Sequence, residues 1–327
     1  MNRVECAIIG AGWAGLSAAS MLSACGREVL VLEKARGPGG RSATRRQAGF
    51  SLDHGAQYFT ARSDAFVQQV QAWRDLGLVQ SWDPSIEVIG DRPDDAGQRP
   101  SERLVGTPGM NAVLGYLARP LACRYGWHLA AMQYKDGQWQ LESAAGERIE
   151  AKHLVLTAPA PQTLQLIGKT HPLADRVGAV RMAPCWTLML GFDRRLDQAP
   201  EAAFVNSGPV SWLARNGAKP GRQEESWILQ ASGKWSSAHL EASPEAVIEA
   251  LWPVFLELVP AARGRRPALK TVHRWRYAHA DNPLDCDFLA CADQRLAVAG
   301  DWCAGNRIEG AWRSGRAAAA WLTQRAD

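Results

Sequence analysis

Hydrophobic and polar positions change period several times along this chain, and each change marks a predicted element. Cys6 to Ile9 is a short apolar run of the kind that forms a buried strand. After a glycine break, an alanine- and leucine-rich stretch predicts a helix to about Ala24, where Cys25-Gly26 supplies a stop. Val29 to Leu32 predicts a second buried strand, Phe50 to Asp53 a turn and strand, and residues 106–118 a loop entering a helix behind Pro108 and Gly109. Residues 127–150 alternate, with the turns KDG and AAG separating three short strands, and HLVLTAP then predicts a separate strand returning to the main sheet. From about residue 161 the chain turns to strands rich in Trp, Phe and Leu: CWTLMLGF, VSWLARN and ESWILQAS. A helix follows over Pro244 to Leu258, with Ser243 as its cap and Glu245 in its first turn. The C-terminal part predicts a strand over Leu296 to Ala299, a loop, and an alanine-rich helix from about Gly310. Residues 92–103, RPDDAGQRPSER, predict an exposed loop.

Composition changes this picture little. A chain of 327 residues with 46% hydrophobic and 21% charged residues has room for two domains and a sizeable core. A net charge of +4 implies neither a nucleic-acid nor a membrane partner. Thirty arginines stand against seven lysines, which suits planar recognition of phosphates and carboxylates. Most of the fourteen tryptophans are expected in the core and a few in an aromatic ligand pocket. Seven cysteines without a CxxC pair or zinc spacing predict reduced thiols, no metal, and a cytoplasmic protein. Glu5 stands where a signal peptide needs an apolar run, and no stretch approaches eighteen uncharged apolar residues.

The chemistry concentrates at the N-terminus. Gly10, Gly12 and Gly15 fall in the spacing G-x-G-x-x-G, with Ala11 and Ala14 between them, exactly one strand into the chain and at the start of a helix. Gly10 allows the tight turn, Gly12 the approach of a pyrophosphate, and Gly15 close helix–strand packing. The helix N-terminus offers N–H groups and partial positive charge to the phosphates. Glu33, 23 positions after Gly10, is placed to accept hydrogen bonds from an adenosine ribose. The tract that follows, EKARGPGGRSATRR, has the look of a basic disordered tail. Lys34 directly follows the ribose acid, and Gly40 and Arg41 close a second glycine turn, which predicts a second phosphate clamp instead.

The set GAGWAGLSAA, KARGPGGR, DHGAQYFTAR, GTPGM, HRWRYA and GDWCAGNRIEGAW resembles the bacterial renalase-like flavoproteins over nearly the whole chain. The resemblance implies an α/β fold in which a Rossmann-type FAD-binding domain (1–60, 104–160, 292–327) carries a sheet-plus-helix substrate domain (61–103, 161–291), as in p-hydroxybenzoate hydroxylase. It implies non-covalent FAD, with Cys303 poorly placed for a thioether. It puts Gly55, Ala56, Gln57 and Tyr58 near the flavin, a backbone contact near Met132 at the adenine end, Asp301 near the ribityl-pyrophosphate, and Ile308, Gly310 and Ala311 at a helix N-terminus pointing to the flavin pyrimidine. Tyr58, Gln230 and Trp275 are the candidate catalytic residues, Gln230 standing where the family is expected to carry a pocket His.

The implied activity is oxidation of 2- or 6-dihydroNAD(P) to NAD(P)+, with electrons passing to O2 to give hydrogen peroxide. A dihydropyridine is already a hydride donor, so positioning matters more than general-base chemistry. The expected partners are a small dinucleotide substrate and O2. A flavin amine oxidase is a rival; it would use a lysine, and Lys234 and Lys270 are the two in predicted strands. A desaturase would need a membrane-facing entrance, and a non-catalytic FAD-binding protein would show no rapid reduction.

Overall fold

The computed structural model describes residues 2–91 and 102–324, so most of the predicted 92–103 loop lies outside the described residues. The elements begin with β1 (Asn2–Ile9), α1 (Trp13–Ala24) and β2 (Val29–Glu33), followed by β3 (Thr44–Gln47), β4 (Phe50–Asp53), α2 (Asp64–Asp75), β5 (Val79–Ser81), β6 (Ile86–Ile89) and β7 (Leu104–Gly106). The middle of the chain forms α3 (Ala112–Ala118), β8 (Ala122–Tyr125), β9 (Leu129–Lys135), β10 (Gln138–Ser143), β11 (Arg148–Leu156), α4 (Ala160–Ile167) and α5 (Ala174–Gly178). The remainder comprises β12 (Met182–Phe192), β13 (Ala202–Val205), β14 (Val210–Arg215), β15 (Glu225–Ala231), α6 (Gly233–Ala238), α7 (Pro244–Leu258), β16 (Leu269–Ala280), β17 (Leu289–Cys291), β18 (Leu296–Val298) and α8 (Ile308–Thr323).

The chain divides into two compact units. Unit 1 takes Met1–Gly40, Val113–Met182 and His279–Asp327, and unit 2 takes Arg41–Ala112 and Ala183–Ala278. These divisions differ from the sequence expectation. Residues 41–60 group with unit 2 because β4 buries Phe50 and Leu52 against Met189, Ile228 and Leu269, and residues 104–112 because β7 pairs with β5 and Met110 N–H donates to Asp53. Residues 161–182 and 279–291 group with unit 1 because Leu173, Val177, Val180 and Leu289 join the core of its sheet.

Unit 1 is built on a sheet in the order β17-β18-β11-β1-β2-β8, with β10 and β9 extending from β11. The strands β18, β11, β1, β2 and β8 run parallel to one another, and β17 pairs antiparallel with β18 at the edge. Every residue of β2, VLVLE, is buried, as a strand covered on both faces requires. The meander and the returning strand, expected as separate, are joined. β11 pairs antiparallel with β10 through Arg148 to Ala151 and parallel with β1 through Ile149 to Leu156. Helices α1 and α8 pack closely, a Cβ on Gly315 coming within 2.0 Å of the Ala14 carbonyl oxygen.

Unit 2 is a six-stranded sheet in the order β16-β12-β15-β14-β13-β6. Alternation divides its side chains. Leu188, Leu190, Leu213, Trp227 and Leu229 pack against Val247, Leu251 and Phe255 of α7. The opposite face carries Met189, Ile228 and Leu269 under β4. Gln230 and Ile228, two apart on β15, share that face, as do Trp275, His273 and Leu269 on β16.

Candidate functional site

In unit 1 the two glycine turns meet. Gly10 has φ +108°, and a Cβ there would lie 2.5 Å from Thr157 Oγ1. A Cβ on Gly15 would lie 1.9 Å from the Gly10 carbonyl oxygen, so helix and strand pack at this distance only with glycine. A Cβ on Gly12 meets nothing within 4 Å, which leaves open space over the start of α1. The second turn lies against the first: Gly39 N–H donates to Ala11 O at 3.0 Å, and a Cβ on Gly40 would be 3.3 Å from Gly12 Cα. The glycine turn of residues 37–40 is thus folded onto the phosphate loop. Lys34 is exposed beside it.

The buried Glu33 carboxylate ties these turns together, one oxygen accepting from Ala11 N–H and the other from Ala35 N–H, each at 2.7 Å. Each oxygen keeps a lone pair for a ribose hydroxyl. Helix α1 has no capping side chain and no acid in its first turn, so its N-terminal N–H groups suit an anion. Helix α8 also lacks a side-chain cap; its ladder starts with Ala311 N–H to Arg307 O at 2.9 Å, leaving Ile308 and Gly310 ahead of it. Asp301 is buried, and its carbonyl accepts from Ala304 and Asn306 N–H in the loop before α8. These groups fit the phosphates and ribose of an FAD. Met132 lies on β9, half-buried and paired with Leu141. Cys303 is fully buried, and its hydrogen bond with the Cys286 thiol, together with burial, pushes its thiol far up, away from the nucleophilic form.

In unit 2 the backbone of residues 53–56 is held by side chains. Gln57 Nε2 donates to Asp53 O at 2.6 Å and to Gly55 O at 2.9 Å. Gln230 Nε2 donates to Gly55 O at 2.7 Å, and Trp275 Nε1 to His54 O at 2.8 Å. Ala56 N–H donates to Arg41 O at 2.9 Å, and a Cβ on Gly55 would lie 2.0 Å from that same oxygen. The Arg41 guanidinium donates to Ala278 O at 3.0 Å. Gln230 and Trp275, 45 positions apart, therefore converge on Gly55. Tyr58 lies apart from that pair of contacts, its ring 6.3 Å from Trp82 and 5.8 Å from Trp212, with the Arg103 guanidinium 5.4 Å above it.

Beneath this segment lies a group of residues that the sequence reading missed. Asp53 accepts from Thr44 Oγ1 at 2.7 Å, Met110 N–H at 3.0 Å and Arg222 Nη2 at 2.5 Å. Lys219 Nζ is 3.6 Å from Asp53 Oδ2 and donates to Gln57 Oε1 at 3.1 Å. Burial opposes ionisation of Asp53, but Lys219, Arg222 and the two hydrogen bonds outweigh it and hold the carboxyl below its usual range. Burial lowers the Lys219 ammonium to about 8 despite Asp53. The lysines expected from sequence lie elsewhere: Lys234 falls in α6 rather than a strand, and Lys270 on β16 sits 5.0 Å over the Trp252 ring.

His54, His273 and Trp275 form a compact ring cluster, with His54 stacked on Trp275 at 5.1 Å. Burial first, then Arg45, lowers His54 to about 4; burial, His54 and Arg45 lower His273 to about 3. His273 is held neutral by geometry as well, since Arg45 Nη2 lies 3.3 Å from its Nδ1 and can only donate. Folding thus lowers both values from 6.5, and the unfolded chain binds more protons below that pH. Stability contributed by the neutral pair is present above pH 6.5 and lost as pH falls towards 4, at up to about 1.4 kcal/mol per pH unit for each histidine. Urea unfolding at pH 7, 6 and 5 is expected to show this decline, with a shallower slope in His273→Gln. A flat profile would contradict it.

Comparison with known proteins agrees with this geometry. The profile described as "NAD(P)-binding Rossmann-like domain" matches residues 8–72, and "Flavin containing amine oxidoreductase" matches residues 94–322. Mouse renalase is 23% identical over 307 residues, covering 87% of each chain. A putative flavin-containing monoamine oxidase from Mycobacterium tuberculosis is 45% identical over 62 residues; the match spans 19% of this chain and only 14% of that protein. Among solved structures, a putative protoporphyrinogen oxidase from Exiguobacterium sp. 255-15 superposes with TM-score 0.75 at 16% identity over 99% of both chains. Cyclohexylamine oxidase from Brevibacterium oxydans IH-35A gives TM-score 0.73 at 14% identity, over 98% of this chain and 99% of that one. Among the described residues, no helix is long and apolar enough to cross a membrane, and no three His, Cys, Asp or Glu side chains group as a metal site.

Proposed function

The chain belongs to the flavin-containing amine oxidoreductases and is an FAD-dependent oxidoreductase, and we propose that its substrates are isomeric dihydronicotinamides, 2- or 6-dihydroNAD(P), which it returns to NAD(P)+. The glycine turns and Glu33 would hold FAD, which would supply the hydride acceptor, with O2 as final oxidant and hydrogen peroxide as product. The reading draws on the similarity to renalase along most of both chains. The observation that supports it is the uncharged set of side chains on Gly55 itself: Gln57 and Gln230 donate to its carbonyl and Trp275 packs beside it, while the charged Asp53, Lys219 and Arg222 are paired with one another beneath. Carboxamides and an indole are not general bases, and hydride transfer from a dihydropyridine needs none.

In this reading the segment of residues 55–58 faces the flavin, and the chain's own residues do positional work. Gln230 commits its Nε2 to Gly55 O, which leaves Oε1 as the end that meets a nicotinamide carboxamide N–H. Trp275, fixed by its bond to His54 O and its stack on His54, presents a rigid flat edge. Only a hydride on a ring carbon aligned with the acceptor then reacts.

The test is anaerobic mixing of the FAD-loaded protein with 2-, 4- and 6-dihydroNAD(P) and with amines, following the bleaching of the flavin band. The 2- or 6-isomer is expected to reduce the flavin on the order of a hundredfold faster than the 4-isomer, the cost of misplacing the reacting carbon by about 1 Å. Equal rates with the 4-isomer, or reduction by amines alone, would refute the proposal.

A further inference from the structure

We propose that Lys219 is a positioning residue: by donating to Gln57 Oε1 it holds the Gln57 carboxamide in the one orientation that fixes the backbone of residues 53–56. The inference rests on the reading that this segment faces the flavin, and it adds the device that keeps the segment in place.

Lys219 is an expensive side chain to bury. Its side chain has 0% exposure, and ammonium groups are almost never removed from water without a reason. Charge balance is not that reason. Arg222 already sits on Asp53, with its side chain 1% exposed, so Lys219 gives the cluster a net positive charge. Beyond Asp53, the Lys219 Nζ lies 5.5 Å over the Trp82 ring and donates to Gln57, and the bond to Gln57 is the one with directional consequence.

The two ends of a carboxamide have nearly the same shape, so packing alone selects neither orientation. Lysine is a donor without an acceptor. At 3.1 Å it selects the orientation with Oε1 towards itself and Nε2 towards Asp53 O and Gly55 O. The reverse orientation would set an amide oxygen against two carbonyl oxygens and an NH2 against an ammonium. Gly55 O accepts from Gln230 as well, so loss of the Gln57 bond leaves the Gly55 carbonyl held from one side only.

The loop that delivers Lys219 is anchored on the same strand. Asn216 Nδ2 donates to Ser51 O at 2.7 Å, Lys219 N–H closes a turn on Asn216 O at 3.1 Å, and Arg222 returns to Asp53. Between them Gly221 has φ +77°, and a Cβ there would lie 2.6 Å from Thr107 Cγ2. The turn is therefore built to carry both cations to one carboxylate.

The experiment compares FAD-loaded wild type, Lys219→Met, Gln57→Leu and the double variant. One readout is the band shape of the bound oxidised flavin; the other is anaerobic reduction by the reactive dihydronicotinamide isomer. Both single variants are expected to retain FAD, to share one altered spectrum, and to slow reduction by about tenfold to a hundredfold. The double variant should be no slower than either single one, because Lys219 acts through Gln57. Slowing factors that multiply in the double variant, or a wild-type spectrum in Lys219→Met, would overturn the proposal. Should no isomer reduce the wild type, the reading of the substrate fails, and the spectra of the four proteins still decide the role of Lys219. Should Lys219→Met not fold, Gln57→Leu alone decides it: wild-type spectrum and rate there would overturn the inference.

Discussion

Glu33→Ala is expected to leave purification with little bound FAD. We propose the carboxylate as the ribose acceptor of the βαβ motif, and loss of a charged hydrogen-bond acceptor costs about 1.5–3 kcal/mol, or about tenfold to a hundredfold in affinity. A second effect adds to this. Glu33 also accepts from Ala11 and Ala35 N–H at 2.7 Å each, so it joins the phosphate loop to the tract that folds over it. Removing it leaves the buried Ala11 N–H without its acceptor, at a further cost of about 1–3 kcal/mol to the fold. Equilibrium titration with FAD and urea unfolding of the apoprotein separate the two effects. Glu33→Gln, with one acceptor oxygen in place of two, is expected to fall between wild type and Glu33→Ala. Undiminished FAD affinity in Glu33→Ala would remove the N-terminal assignment.

This part of the molecule was legible in the sequence because its determinants are local. Strand, glycine turn, helix, strand and acid occupy Asn2 to Glu33, and each is marked by its own residues. The basic tract was legible for the same reason: the glycines that fold it follow the acid directly. The strands β12, β14 and β15 were likewise visible as runs of Trp, Leu and Phe. The error at β11 has a physical origin. One strand has a polar-alternating start that pairs with β10 and an apolar end buried between β1 and β18, so its periodicity changes midway and reads as two elements.

The surroundings of Gly55 were less legible because they are assembled from distant positions. The sequence points to Gln230 and Trp275 as substrate contacts; what the structure shows is that they hold backbone, by hydrogen bonds to Gly55 O and His54 O. Asp53, Lys219 and Arg222 were missed altogether. Asp53 ends an otherwise apolar strand, FSLD, and the two cations lie far along the chain in KPGR. Two positive charges flanking a Pro-Gly turn between apolar strands were the available signal. Exposure is the ordinary expectation for such a turn, and only the fold brings it to a buried carboxylate.

That cluster carries the largest expected effect of a single substitution. Asp53→Ala would leave Lys219 and Arg222, whose side chains are 0% and 1% exposed, with no counter-charge. Removing one partner of a buried ion pair costs about 3–5 kcal/mol, against a total of about 5–15 kcal/mol for a domain. Unit 2 is therefore expected to be close to unfolding at neutral pH, with a matching fall in the urea midpoint followed by tryptophan fluorescence. The pH dependence gives the mechanism a signature. Lys219 is already lowered to about 8 beside Asp53, and without the carboxylate it falls further below its unfolded value of 10.5. The unfolded variant then binds the extra proton, so its stability should rise with pH from near neutrality up to about 10.5. In the wild type the carboxylate's own contribution runs the other way in cause: Asp53 is held below 3.8, so its contribution is present above that pH and lost only in stronger acid. Deleting one cation should also help, and Asp53→Ala/Lys219→Met is expected to be more stable than Asp53→Ala alone. If Asp53→Ala costs under about 1 kcal/mol, the value of an exposed pair, or if Lys219→Met fails to relieve it, then the cluster is not the dry, charge-coupled site that its burial implies.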